Sequence, residues 1–170
     1  HLRSYGPRLP GVQAPARAWE PRPPTGRVAA LFSGGVDSWA TILGNPDVTD
    51  LIFCRGVDLL AHLPHQRGLA DEIEARLREA AAELGLDFHA LDTNARELAD
   101  PLIRWERYFA CPLIAAGLFF EPLFDRVLIA GDSEYATQDA RGGNRLTPRL
   151  LSTEDLEIAD DGGRFSRMER

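Results

Sequence analysis

The stretch VAALFSGGVDSWATIL, Val28 to Leu43, decides how the chain is read. Arg27 to Phe32 is a continuous apolar run with valine and phenylalanine, the pattern of a strand buried on both faces. Ser33, Gly34 and Gly35 break that run, and Ser38 to Leu43 has helix character up to the stop at Gly44-Asn45-Pro46. A buried strand that passes through glycines into a helix builds a cradle for an anion. The glycines let the backbone turn tightly, the first-turn amides of the helix point at the ligand, and the helix dipole favours negative charge there. Ser33 and Ser38 can add hydroxyl donors. Asp37 fits only if a cation stands between its carboxylate and the phosphate, and Mg²⁺ prefers such oxygens. The competing reading is a glycine-rich turn in which Asp37 or Ser38 serves only as helix N-cap.

Working outward, a second short apolar run covers Leu51 to Cys54. From Gln66 to Leu84 the apolar residues Leu69, Ile73, Leu77, Ala81 and Leu84 recur every three or four positions, with Gly85 where a helix C-cap belongs. Asp87 to Leu91 reads as a third strand, Trp105 to Phe124 as one long, mostly buried helix, and RVLIA, Arg126 to Ala130, as a fourth strand ending at Gly131-Asp132. Strands alternating with helices predict an α/β protein with a doubly wound parallel sheet, right-handed crossovers and helices on both faces. Residues 1–26 hold half of the 12 prolines without a sustained apolar period and read as an arm or linker.

At 170 residues and 44% hydrophobic content the chain has enough material for one ordinary domain, and no run is long enough to cross a membrane. The net charge of −7 argues against a general nucleic-acid or membrane binder. All 19 basic residues are arginines. The absence of lysine excludes a Schiff-base lysine and the lysine of a G-x-x-x-x-G-K-[ST] loop. Cys54 and Cys111 fit neither a disulfide scaffold nor a zinc site, which makes a reducing cytoplasm the simplest home, and no secretory signal is visible.

SGGVDS, Ser33 to Ser38, resembles the signature of the PP-loop ATP pyrophosphatases. The wider layout, ERYFACPLIAAGLFF before RVLIAGDSEYA and then TPRLLSTEDLEI, is similar to their 7-cyano-7-deazaguanine synthase-like branch. The resemblance spans roughly Arg27 to Ile158 and is most specific at the loop. It implies a three-layer, HUP-like α/β/α domain over 27–170 with strand order 3-2-1-4-5. It also implies ATP and Mg²⁺ as cofactors. A substrate oxygen would attack the α-phosphate to form an adenylate, pyrophosphate would leave, and a nitrogen nucleophile would complete a C–N bond. Sulfur transfer to a base, a tRNA base included, is the alternative within enzymes; a module that holds the nucleotide without turnover is the alternative outside them. Ser33, Gly34, Gly35, Val36, Asp37 and Ser38 carry the implied nucleotide contacts, joined by Gly131, with Asp37 as the Mg²⁺ ligand and Asp37 and Asp132 as catalytic candidates. Two departures stand out. Many relatives place lysines near the phosphates, and deazaguanine synthases carry a C-terminal zinc-binding cysteine cluster that this chain lacks, so either the domain is truncated at its C-terminal end or the activity differs.

Arg141, Arg145 and Arg149 can clamp a phosphate or carboxylate, although solvated loop charges are the commoner fate. His62 and His65 read as loop residues in the absence of a third metal ligand. Cys54 and Cys111 are expected to be buried thiols hidden from substrate. Trp105 and Tyr108 either touch ligand or pack at the core rim.

Overall fold

The computed structural model describes residues 20–60, 63–131 and 146–161. Its elements run β1 (Val28–Leu31), α1 (Val36–Gly44), β2 (Asp50–Arg55), α2 (Pro64–Leu84), β3 (Asp87–Asp92), α3 (Ala95–Ala99), α4 (Ala110–Phe119), β4 (Arg126–Ala130), α5 (Leu146–Leu150) and β5 (Glu157–Asp161). Single 3-10 turns at Trp105–Arg107 and Glu121–Leu123 flank α4. The five strands form one parallel sheet in the order β3-β2-β1-β4-β5. This is the expected doubly wound α/β architecture, with the expected strand order.

Two cores explain the three layers. On one face Ala30, Phe32, Leu51, Phe53 and Leu128 pack with Ile42 of α1 and with Leu77 and Ala81 of α2. On the other, Ala29, Leu31, Ile52, Val127, Ile129 and Ile158 pack with Ala110, Ile114 and Ala116 of α4 and with Phe124. Neighbouring positions along β1 and β4 serve opposite cores, which is why their sequences read as unbroken apolar runs.

α2 covers the expected span and ends at Gly85, whose N–H reaches the carbonyls of Ala81 and Ala82. Its buried stripe is Ala70, Leu77 and Ala81 with Ile73 half-buried; Leu69 points off that stripe and Leu84 lies at the helix end, and both are exposed. The single long helix over Trp105 to Phe124 is corrected to a turn, a ten-residue helix and a second turn. Proline explains both breaks. Pro112 has no N–H and its ring would strike the carbonyl four residues back, so it is tolerated in the first turn of α4 and not deep inside a helix begun at Trp105. Pro122 limits the other end in the same way. The end of the proline-rich segment is anchored to the domain: Arg22 donates from its side chain to the carbonyls of Phe124 and Asp155, and the Thr25 and Gly26 amides donate to Asp125. No described helix is long and apolar enough to cross a membrane.

Candidate nucleotide site

β1 sits between β2 and β4, the point where the connections change from one side of the sheet to the other. Open α/β sheets bind ligands outside the carboxyl ends of the strands at such a point. There, Phe32 N–H still donates to the Ile52 carbonyl at 2.8 Å, and the chain then leaves the sheet as Ser33-Gly34-Gly35. Gly34 takes a left-handed φ of +77°, a conformation glycine adopts without steric cost. Gly35 is extended, φ −74° and ψ 160°, and forms the N-cap of α1. Of the two loop glycines, only Gly34 has a positive φ, so a side chain would strain the backbone there and not at Gly35.

The N-cap residue Gly35 makes no side-chain hydrogen bond to the first turn of α1. Ser38 is buried and its hydroxyl donates to the Gly35 carbonyl at 2.8 Å, while Trp39 N–H donates to the same oxygen at 3.0 Å. Ser38 therefore braces the loop. Ser33 and Gly35 are exposed, and the Val36 side chain points to solvent.

The loop borders a cavity of about 320 Å³ through Ser33, Gly35, Asp37 and Ser38, while Gly34 and Val36 do not line it; the volume falls within the roughly 300–1,000 Å³ range of small-molecule sites. Ser33, Gly35, Asp37 and Ser38 form its polar side. Ile52, Cys54, Trp105, Phe109 and Leu113 form an apolar side, and Ile129 and Ala130 bring in the end of β4. Gly131 is the next residue; its buried N–H donates to the Asp161 carbonyl and ties β4 to β5. Asp132 and Ser133, like His62, Arg141 and Arg145, lie outside the described residues. Arg149 is exposed on α5 and His65 is exposed on α2; neither lines the cavity. Among the described residues no group of three or more His, Cys, Asp or Glu is arranged around a metal position.

Asp58, in the turn after β2, is a cavity residue that the sequence reading passed over. The only signal for it was its position just beyond a strand end next to the switch point. Asp37 and Asp58 are the charged groups among the described lining residues, so the cavity is acidic where it meets the glycine loop. Cys54 borders the cavity and is not hidden from it; burial, and then the negative Asp58, push its thiol up to about 12. Cys111 is exposed on α4, which corrects the expectation of a buried thiol. Trp105 lines the cavity, whereas Tyr108 is buried and donates its hydroxyl to Asp100. No protein-family model matches the chain, and no curated protein matches it.

Proposed function

We propose that this protein binds ATP with Mg²⁺ at the Ser33 to Ser38 loop and uses it to adenylate an acceptor oxygen, releasing pyrophosphate before a C–N bond forms. One observation carries the reading: a single cavity at the sheet's switch point is lined both by the glycine-led first turn of α1 and by apolar residues that include Trp105 and Phe109. The amides of α1 suit phosphate oxygens and the apolar side suits a heteroaromatic base. Two carboxylates beside a phosphate cradle are repulsive without a cation; Mg²⁺ commonly takes one or two carboxylates and completes its shell with phosphate oxygens and water. Asp37 and Asp58 are the residues that would hold it, and the ion would supply charge stabilisation on the departing pyrophosphate. The SGGVDS resemblance to PP-loop pyrophosphatases supports adenylation over transfer of the terminal phosphate. Cys54 weighs against sulfur transfer, because a thiol pushed to about 12 holds almost no thiolate at neutral pH.

The test is product analysis. Incubation with ATP, Mg²⁺, a panel of carboxylate and amide acceptors and an ammonium salt as nitrogen nucleophile should give AMP and pyrophosphate in step with acceptor consumption. Gly35→Val should keep the fold, since Gly35 needs no positive φ and an added Cβ lies 3.4 Å from Ser33 Oγ. Its branched side chain would fill the cradle, and ATP affinity should fall by about tenfold or more. ADP and phosphate as products would overturn the adenylation. Parental ATP affinity in folded Gly35→Val would move the site elsewhere. Tight ATP binding with no products for any acceptor would replace the enzyme by a nucleotide-binding module.

A further inference from the structure

Trp105 stands in the 3-10 turn before α4 and forms part of the cavity's apolar side. Its ring is fixed from several directions. The Arg96 guanidinium lies 4.5 Å from the ring centroid, Tyr108 packs edge-on at 5.1 Å, and Phe109 is tilted at 6.2 Å. Arg96 has two further partners: its Nη1 donates to the Val57 carbonyl at 3.0 Å, and its Nε donates to Asp100 Oδ2 at 3.0 Å. The other oxygen of Asp100 accepts the Tyr108 hydroxyl. Val57 belongs to the turn after β2 and itself lines the cavity. One arginine therefore joins two separate walls of the cavity, the β2 turn and the indole before α4. A planar guanidinium suits this junction because it stacks on an aromatic face while its N–H fork hydrogen-bonds in its own plane.

Resting on the nucleotide reading above, we propose that Trp105 is the stacking platform for the base of the bound nucleotide and that Arg96 is the positioning residue that holds this platform against the β2 turn. The ligand then has two separable half-sites. The glycine loop takes the phosphates and the indole takes the base. Stacking on an aromatic platform depends on a flat π surface and little on which base supplies it.

The experiment compares ATP with inorganic tripolyphosphate, each titrated with Mg²⁺ into the parent protein and into Arg96→Met, Trp105→Leu and Trp105→Phe, with circular dichroism confirming each fold. Arg96→Met and Trp105→Leu should weaken ATP by about tenfold or more while tripolyphosphate stays within about twofold, and Trp105→Phe, which keeps a flat ring, should restore most of the ATP affinity. Arginine acting only as a structural tie would not produce that split between the two probes. Parental ATP affinity in folded Arg96→Met and Trp105→Leu overturns the proposal, as does an equal loss of both probes. A parent protein that binds tripolyphosphate and ATP equally well also rejects the platform, and leaves the loop as the phosphate site. A parent protein that binds neither removes the nucleotide reading, and the platform falls with it.

Discussion

Asp37 lies in the first turn of α1 and Asp58 in the turn after β2, yet both border one cavity. Their roles can be separated by charge. Asp37→Asn keeps the shape of the side chain and removes the charge a divalent cation requires, so turnover should drop by about tenfold or more while ATP binding changes much less. The deficit should widen as Mg²⁺ becomes limiting. Equal turnover by the two proteins across a Mg²⁺ titration would return Asp37 to a helix-terminal role. Asp37 could be placed at the cavity from the sequence because it lies in the first turn of the helix that follows the glycine break after β1. Asp58 could not, because Arg55-Gly56-Val57-Asp58 is an ordinary turn until the sheet order places it beside the loop. Cys111 misled for a related reason: an apolar helix still has an outer face, and composition does not say which residue occupies it.

At the level of elements, the end of β2 shows how tightly the cavity's floor is set. Thr93 N–H donates to the Arg55 carbonyl at 2.9 Å, extending the β2 to β3 pairing beyond β3 itself. Gly56 follows with φ +87°, and a Cβ built there would overlap the Thr93 carbonyl oxygen. Gly56→Ala therefore carries backbone strain of about 1–3 kcal/mol plus the cost of parting the two chains. Urea unfolding should show a midpoint clearly below the parent's; an unchanged midpoint would mean that the turn rearranges freely. The central strands were legible because β1, β2 and β4 are dense apolar runs, and α2 because Ile73, Leu77 and Ala81 recur at helical spacing ahead of a glycine cap. β5 was not singled out. Its residues are Glu-Ile-Ala-Asp-Asp, and only Ile158 is wholly buried, so its strand character comes from pairing with β4 more than from its own pattern. The break before α4 is marked only by Pro112, inside an otherwise apolar run.

At the scale of the whole molecule, the rim of the sheet opposite the cavity carries two well-bonded carboxylates, Asp50 and Asp125. Asp50, wholly buried at the start of β2, receives Arg27 Nε at 3.0 Å and Thr49 Oγ1 at 2.6 Å, and His89 Nε2 lies 2.7 Å away. Burial pushes its carboxyl up, but the hydrogen bonds from Arg27, Thr49 and His89 outweigh this and hold it below the ordinary 3.8. The Thr25 amide, with the Gly26 amide and Arg22, lowers Asp125 likewise. A folded-state value below the unfolded one gives stability that is complete above the ordinary carboxyl range and is lost as pH falls through the lowered value. Acid titration of the unfolding free energy should thus be flat in these groups above about pH 5 and decline below about pH 4. Asp50→Asn should cost about 2 kcal/mol or more at neutral pH and show a shallower acid decline. An acid limb identical to the parent's would show that other carboxylates set it. The sheet order has a last consequence, for synthesis. β1 pairs with β2, which follows it closely, but also with β4, which is translated only after β2 and β3 and the helices between them. A nascent chain makes the glycine loop early, yet the part of the cavity lining supplied by Ile129 and Ala130 is absent until β4 inserts beside β1. Loop closure over so long a separation places that pairing among the slow steps of folding. A cavity complete enough to capture a ligand therefore exists only in a chain that has already closed the β1 to β4 pairing.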